Sequence, residues 1–281
     1  MFYFTNNIRT LGGQNMIEVL IFLIWLLETA NIVSHLYFRI KHRGQAKLLA
    51  KYLTSDGNMM TYCIPDYRSN ANASFKFLTE GRRYDKNLMQ GGMTLIEYES
   101  WGMNVEVIAK QIIEDIKKHD YLPFIISVGL GDQIARLVEQ EVPDLTIITI
   151  DPLPSDEVLR FGVQVKFRIL LPFLNLLVAI LGWFSQLHLI QTNVPWLRQS
   201  VTLYADQLNS IAYSKLDVEK YATSVLVLSL EDRLTDKKIV RELYYGVPSS
   251  NFIWVDTCRF NTYDGGIIYR EKMKDLLYSL Y

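Results

Sequence analysis

The segment Ile126-Ser127-Val128-Gly129-Leu130-Gly131-Asp132 places small residues at alternate positions. That spacing allows a sharp turn from a strand into a helix, the geometry that lifts one side chain clear of a sheet so that it can attack a substrate. Gly129 holds the raised position and has nothing to attack with. An attacking oxygen or sulfur would have to come from Ser127 or from the thiol of Cys258. Ser127 precedes the turn, so its side chain is expected to point into the sheet. The two cysteines, Cys63 and Cys258, lack the paired spacing of a zinc site or a disulfide framework and read as reduced thiols. The same glycines also match part of a dinucleotide fingerprint, with Asp151 as the acid for a ribose hydroxyl. Ile134 stands where that fingerprint needs its third glycine, and two strand-helix units come before it.

The elements that would position these residues alternate. Strands are expected over 60–65, 93–98, 123–128, 145–150, 224–229 and 251–256. Helices are expected from 73 to 78, over 105–118 and 133–140, and later over 237–245 and 271–280. Strand-helix alternation implies an α/β domain built on a mostly parallel sheet of about six strands with helices on both faces. In the helix over 105–118, Ile108, Ile112, Ile113 and Ile116 share one face. Charge is nearly balanced, with 29 Lys and Arg against 30 Asp and Glu. No field over the whole chain draws in nucleic acid, so nucleic acid is not an expected partner.

Laid over the small-x-nucleophile-x-small pattern, Ser127, Gly129 and Gly131 resemble the nucleophile elbow of the α/β-hydrolases, with glycine in place of the nucleophile. The segment 228–236 resembles the stretch after a later strand that carries the triad acid in that family, and Asp232 is the matching residue. The segment 254–263 resembles the loop after the last strand, where the family carries its histidine. Here it reads Thr257-Cys258-Arg259-Phe260-Asn261, and the last histidine of the chain, His188, precedes Asp232. The family order is nucleophile, acid, histidine, so the general base is absent by position. Arg259 or Phe260 could fill the vacated space, though Arg259 also fits a solvated loop.

The resemblance therefore implies a degenerate member of the fold, with Gly129, Asp232 and Phe260 at the former catalytic positions. Candidate binding positions are Gly129, Leu130 and Gly131 at the turn, Pro65, Asp66 and Tyr67 after the first strand, and Arg259. The free amides at the helix start are expected to bind an oxyanion or carboxylate. No cofactor and no metal are expected. An active membrane-associated ester hydrolase with a non-standard catalytic set, and a nucleotide-binding domain, remain the alternatives.

Two apolar segments complete the plan. From Met16 to Phe38 the chain is long enough to span a bilayer, and Arg39, Lys41, Arg43, Lys47 and Lys51 follow it. Glu18, Glu28, Asn31 and His35 interrupt the segment, so a helix packed on the domain is the competing reading. Residues 1–44 are read as a membrane-associated helix and 45–281 as the domain, which the basic flank would place in the cytoplasm. Between Arg168 and Arg198 there is no Asp, Glu, Lys or Arg. A single membrane crossing there would separate strands that must pair. The insertion, at about 155–220, is therefore read as an apolar helical cap, with Pro172 and Gly182 bending or ending its helices. Trp183 and Trp196 suit either a lipid interface or the inside of the cap. The expected partner is membrane lipid or an apolar small molecule.

Overall fold

Unbroken apolar runs form the middle of the sheet, because strands covered on both faces have no polar side to show. The computed structural model describes residues 3–41, 44–51, 59–69, 71–75, 92–99, 102–119, 122–142, 145–184, 201–214 and 225–256. In chain order the elements begin with α1 (Tyr3–Lys41), β1 (Ala46–Lys51), β2 (Met59–Ile64), α2 (Ala71–Ser74) and β3 (Gly92–Tyr98). They continue with α3 (Val105–Lys118), β4 (Leu122–Val128), α4 (Gly131–Glu139) and β5 (Thr146–Ile150). The insertion supplies α5 (Phe161–Phe184) and α6 (Val201–Tyr213), and the sheet resumes with β6 (Val225–Ser229), α7 (Lys237–Leu243) and β7 (Phe252–Val255).

The sheet has seven strands in the order β1-β3-β2-β4-β5-β6-β7. Six of them, β2 to β7, are parallel, as expected from the sequence. The seventh was not expected. β1 pairs antiparallel with β3, Ala46 opposite Tyr98 and Lys51 opposite Met93. Lys47 and Lys51 were read as part of the basic flank of a membrane helix, but they belong to this edge strand. Lys47 is exposed, and lysine on an edge discourages pairing with another chain, which is a local reason for the charge.

Alternate residues of each strand feed the two faces. On one face Ile125 of β4 and Ile147 of β5 meet Ile108 and Ile112 of α3, Ile134 and Val138 of α4, and Tyr244 just past α7. On the other, Phe124, Ile126, Ile148 and Val227 pack with Cys63, Ala71 and Phe75. Helix α3 covers the bounds expected for it; its N-cap Asn104 accepts from the amides of Glu106 and Val107, and Lys117 and Lys118 close its last turn. Asp236 caps α7 in the same way, accepting from the amides of Lys238 and Ile239.

Helix α1 extends beyond the apolar run 16–38 at both ends, over 39 residues or about 58 Å. The described apolar side chains from Met16 to Leu27 are all exposed, Trp25 at 61% and Leu27 at 68%. A helix packed on the domain would bury one face, and none of these described side chains is buried. In the insertion, α5 does not end at Pro172 but continues past it to Phe184. Strands β5 and β6 are parallel neighbours, Ile148 opposite Val225, so the segments before and after the insertion belong to one sheet. By length and composition alone Phe161–Val178 could cross a membrane, but the pairing excludes a single crossing. The expected positions Cys258, Arg259 and Phe260, the helix over 271–280, and Trp196 lie outside the described residues.

Candidate functional site

The turn after β4 is built as the alternating small residues require. Gly129 has φ +53°, which a residue with a side chain adopts only at a cost. Its N–H donates to the carbonyl of Ile150 at 2.9 Å, and its carbonyl accepts from Leu153 at 3.0 Å, so the turn is stitched to the end of β5. A Cβ on Gly131 would meet the Ile64 carbonyl oxygen at 2.6 Å. Helix α4 can therefore start close against β2 only with glycine there.

Asp66 closes the other side. It follows β2 by two residues and is fully buried. One carboxylate oxygen, Oδ1, accepts from the backbone N–H of Tyr67 and from that of Leu130, each at 2.8 Å. In the hydrolase plan these are the places of the oxyanion hole: the amide after the nucleophile and an amide from the loop after a neighbouring strand. A Cβ built on Gly129 would fall inside the Asp66 carboxylate group. Pro65, Asp66, Tyr67, Gly129, Leu130 and Gly131, expected separately as binding positions, are thus brought together. The Leu130 amide, expected to be free for a ligand, is taken by the chain itself. From β3, Tyr98 Oη donates to the Pro65 carbonyl at 2.6 Å. Burial, and then the Asp66 carboxylate, hold the Tyr98 phenol well above its ordinary pKa.

Ser127 lies in the layer beneath. It is fully buried, and its Oγ sits 2.9 Å from Thr149 Oγ1 on β5. Thr149 gives its one proton to Asp132 Oδ1 at 2.8 Å, so the proton between Ser127 and Thr149 comes from Ser127. Arg136 continues the network, donating from Nε to Asp132 at 3.0 Å, from Nη1 to Glu139 at 2.9 Å and from Nη2 to Thr149 at 3.3 Å. The Tyr244 hydroxyl donates to the other Asp132 oxygen. Burial alone would lower the Arg136 pKa; Asp132, Tyr244 and Glu139 outweigh it and hold the guanidinium above its ordinary value. Ser127 therefore faces acceptors held by a cation, not a base. The fully buried Arg136 escaped the sequence reading. Its one signal was the i, i+4 spacing from Asp132.

The two other carboxylates serve loops. Asp232 is buried, with Oδ1 accepting from the Leu234 amide at 2.8 Å and Oδ2 from the Thr235 hydroxyl at 2.5 Å. Arg160 reaches the Asp232 carbonyl at 2.5 Å and the Thr235 carbonyl at 3.3 Å, tying the cap entrance to this loop. Asp151, at φ +47°, accepts from the Ser229 amide at 2.8 Å and the Ser229 hydroxyl at 2.6 Å. Both its oxygens tie β5 to β6, which removes the carboxylate that a dinucleotide ribose would need. Cys63 is in no disulfide and lies buried in the core behind the sheet.

The cap is anchored beside Asp66. On α6, Asp206 Oδ2 accepts from the Met103 amide at 3.0 Å, and Gln207 Oε1 accepts from the Arg68 amide at 3.2 Å. Gln207 is fully buried, and its Nε2 has no hydrogen-bond partner among the described residues. The Arg68 amide fixes which end of the carboxamide is oxygen, and no local pattern points to this contact across 139 residues. Two clefts, of about 290 Å³ between α3, α4 and α6 and about 520 Å³ beside α7, are lined by other residues than the turn and Asp66. Among the described residues no cluster of three or more His, Cys, Asp and Glu could hold a metal ion.

No protein-family model matches the sequence, and no curated protein matches it. Solved structures do. A monoacylglycerol lipase from Paleococcus ferrophilus aligns over 83% of this chain and 99% of its own, with TM-score 0.54 and 13% identity. A hydrolase from Oleispira antarctica aligns over 84% of this chain and 93% of its own, with TM-score 0.56 and 12% identity. A monoglyceride lipase from Saccharomyces cerevisiae aligns over 83% and 92%, with TM-score 0.52 and 11% identity. With the order of its parallel strands, the elbow at Gly129 and the insertion after β5, the chain has the α/β-hydrolase fold.

Proposed function

We propose that this is a catalytically degenerate α/β-hydrolase-like protein that holds an apolar or acyl-bearing ligand at the cytoplasmic face of a membrane. The observation that carries the reading is the elbow itself: glycine replaces the nucleophile, and the Asp66 carboxylate occupies the two amides that would stabilise an oxyanion. Oxyanion stabilisation is commonly the largest single catalytic contribution, and no ground remains for it here while Asp66 is in place. Ser127 does not rescue the chemistry, because its proton is directed at Thr149.

Two surfaces support the membrane part. The apolar side chains of α1 are exposed on every side from Ile17 to Leu27, and a helix apolar all round belongs in lipid or in a core. On α5, the exposed residues Phe161, Val165, Ile169, Phe173, Leu176 and Ile180 recur every three or four positions, while Leu171 and Val178 face inward. Two of the similar structures are lipases of monoacylglycerol, and an acyl chain is a ligand class that an apolar cap suits. Such a ligand is held by apolar contact, its head group away from the turn.

The test is labelling of the full chain with a serine-directed phosphonate together with turnover of short and medium acyl esters. Neither is expected. Labelling that vanishes in Ser127→Ala would restore the active-hydrolase reading. Titration with NAD and ATP should give no saturable signal, since Asp151 is tied to Ser229.

A further inference from the structure

The amides that hold a substrate oxyanion in a working elbow already hold an anion in this chain. Asp66 Oδ1 lies 2.8 Å from both Tyr67 N and Leu130 N, a spacing suited to charge-assisted bonds from backbone N–H to carboxylate. The group is fully buried, and the turn offers it no room to share with a side chain on residue 129. Next along the same loop, the Arg68 amide is taken by Gln207, a buried side chain whose Nε2 has no partner among the described residues, so this loop too meets its acceptor from within the chain.

We propose that the elbow is a preformed monocarboxylate site whose resident ligand is the Asp66 side chain, and that Asp66 and Gly129 are one coupled device. Glycine at 129 is then more than a lost nucleophile. It is the only residue whose backbone leaves space for the internal anion, so any side chain at 129 and the carboxylate at 66 exclude each other. While Asp66 is seated, external carboxylates and acyl oxyanions are shut out. Removing its side chain leaves two amides converging on the space of a carboxylate oxygen, and a small acid can take the place.

This rests on reading residues 127–131 as a degenerate elbow, and the experiment keeps the two apart. The full chain in detergent is labelled with ¹⁵N, and the Tyr67 and Leu130 amide signals are followed while acetate is added. In the unmodified protein the two signals should stay still. In Asp66→Ala both should move saturably in millimolar acetate. In parallel, Gly129→Ala should lower Tm by roughly 3–10 °C when Asp66 is present, the cost of overpacking a closed site added to that of a positive φ. In the Asp66→Ala background the same substitution should cost clearly less, since only the φ strain remains.

Equal penalties in the two backgrounds, or a folded Asp66→Ala protein whose amides ignore acetate, overturn the proposal. Should alanine at 66 prevent folding, Asp66→Asn answers instead: loss of the charge weakens both N–H bonds and shifts both signals, and unmoved signals overturn the assignment. Phosphonate labelling of the unmodified protein would sink the non-catalytic reading and leave this coupling standing. Equal Gly129 penalties would do the reverse.

Discussion

The turn at Gly129 and the outer face of the cap helix α5 answer opposite demands. At the turn every described polar group of Asp66, Ser127, Thr149 and Asp132 is matched within the fold, and nothing is offered to solvent. On α5 the exposed surface from Ile169 onward is apolar, with Ile169 at 60% and Phe173 at 69%, so much of the work of burying it is left undone. In an active hydrolase the unfinished business sits at the elbow, where donors wait for a transition state. In this chain it has moved to the surface. The difference teaches where to look next: away from the closed turn at Gly129 and towards the exposed apolar helices.

The largest effect expected on that contrast comes from α1. Removing residues 1–43 deletes a run of exposed apolar side chains, each contributing roughly 1.5–3 kcal/mol when buried in lipid. The truncated protein should move almost entirely from the membrane pellet to the soluble fraction, with the domain's circular dichroism retained. Pelleting of folded truncated protein would shift the anchoring to α5.

Next comes the closed side. Arg136→Met removes the cation that Asp132, Glu139 and Tyr244 surround, leaving the Asp132 carboxylate buried beside a thioether. Breaking a buried pair by removing one partner costs about 3–5 kcal/mol. Urea denaturation should show that loss, and a change under about 1 kcal/mol would mean the network carries little of the turn's stability.

A smaller change is expected on the open side. Phe173→Glu alters a residue that the fold does not bury, so stability should move by no more than about 0.5 kcal/mol. Binding of the truncated protein to vesicles of a zwitterionic and anionic lipid mixture should fall by about tenfold, near 1.4 kcal/mol, the order of one apolar side chain kept out of the interface. Loss of stability without loss of binding would place this face in the core of an assembly and not in lipid.

How much of this could be read from residues alone follows from the range of the interactions. The parallel strands were legible because each is a local apolar run bounded by polar loops, and α3 because four isoleucines recur on one face. The elbow was legible because a tight turn needs small residues at fixed local spacing. Strand β1 was not, since Ala46–Lys51 becomes a strand only by pairing with β3, nearly fifty residues on, and its lysines look like a membrane flank. The continuation of α5 through Pro172 was equally hidden, because tertiary support decides whether a proline ends a helix. Asp66 could be placed near the site but not in it: its bond to Leu130 spans 64 residues, and no local pattern shows a carboxylate turning back onto an elbow.

The finest test of the contrast is Ser127→Ala. Ser127 gives one neutral hydrogen bond to Thr149, whose oxygen also accepts from Arg136 at 3.3 Å and donates to Asp132. Deleting the hydroxyl leaves Thr149 with a charged donor and a charged acceptor, so no polar group is stranded. Net loss of one such bond costs about 0.5–1.5 kcal/mol, far below the cost of losing Arg136. Ligand binding and membrane partition should not change, because the side chain sits under the turn and touches neither apolar face. Were Ser127 instead the nucleophile of a non-standard hydrolase, the same substitution would abolish ester turnover at almost no cost in stability. Measuring urea stability and esterase activity on one preparation of Ser127→Ala therefore separates the two cases: a small loss of stability with no activity to lose fits a closed elbow, and a loss of measurable activity does not.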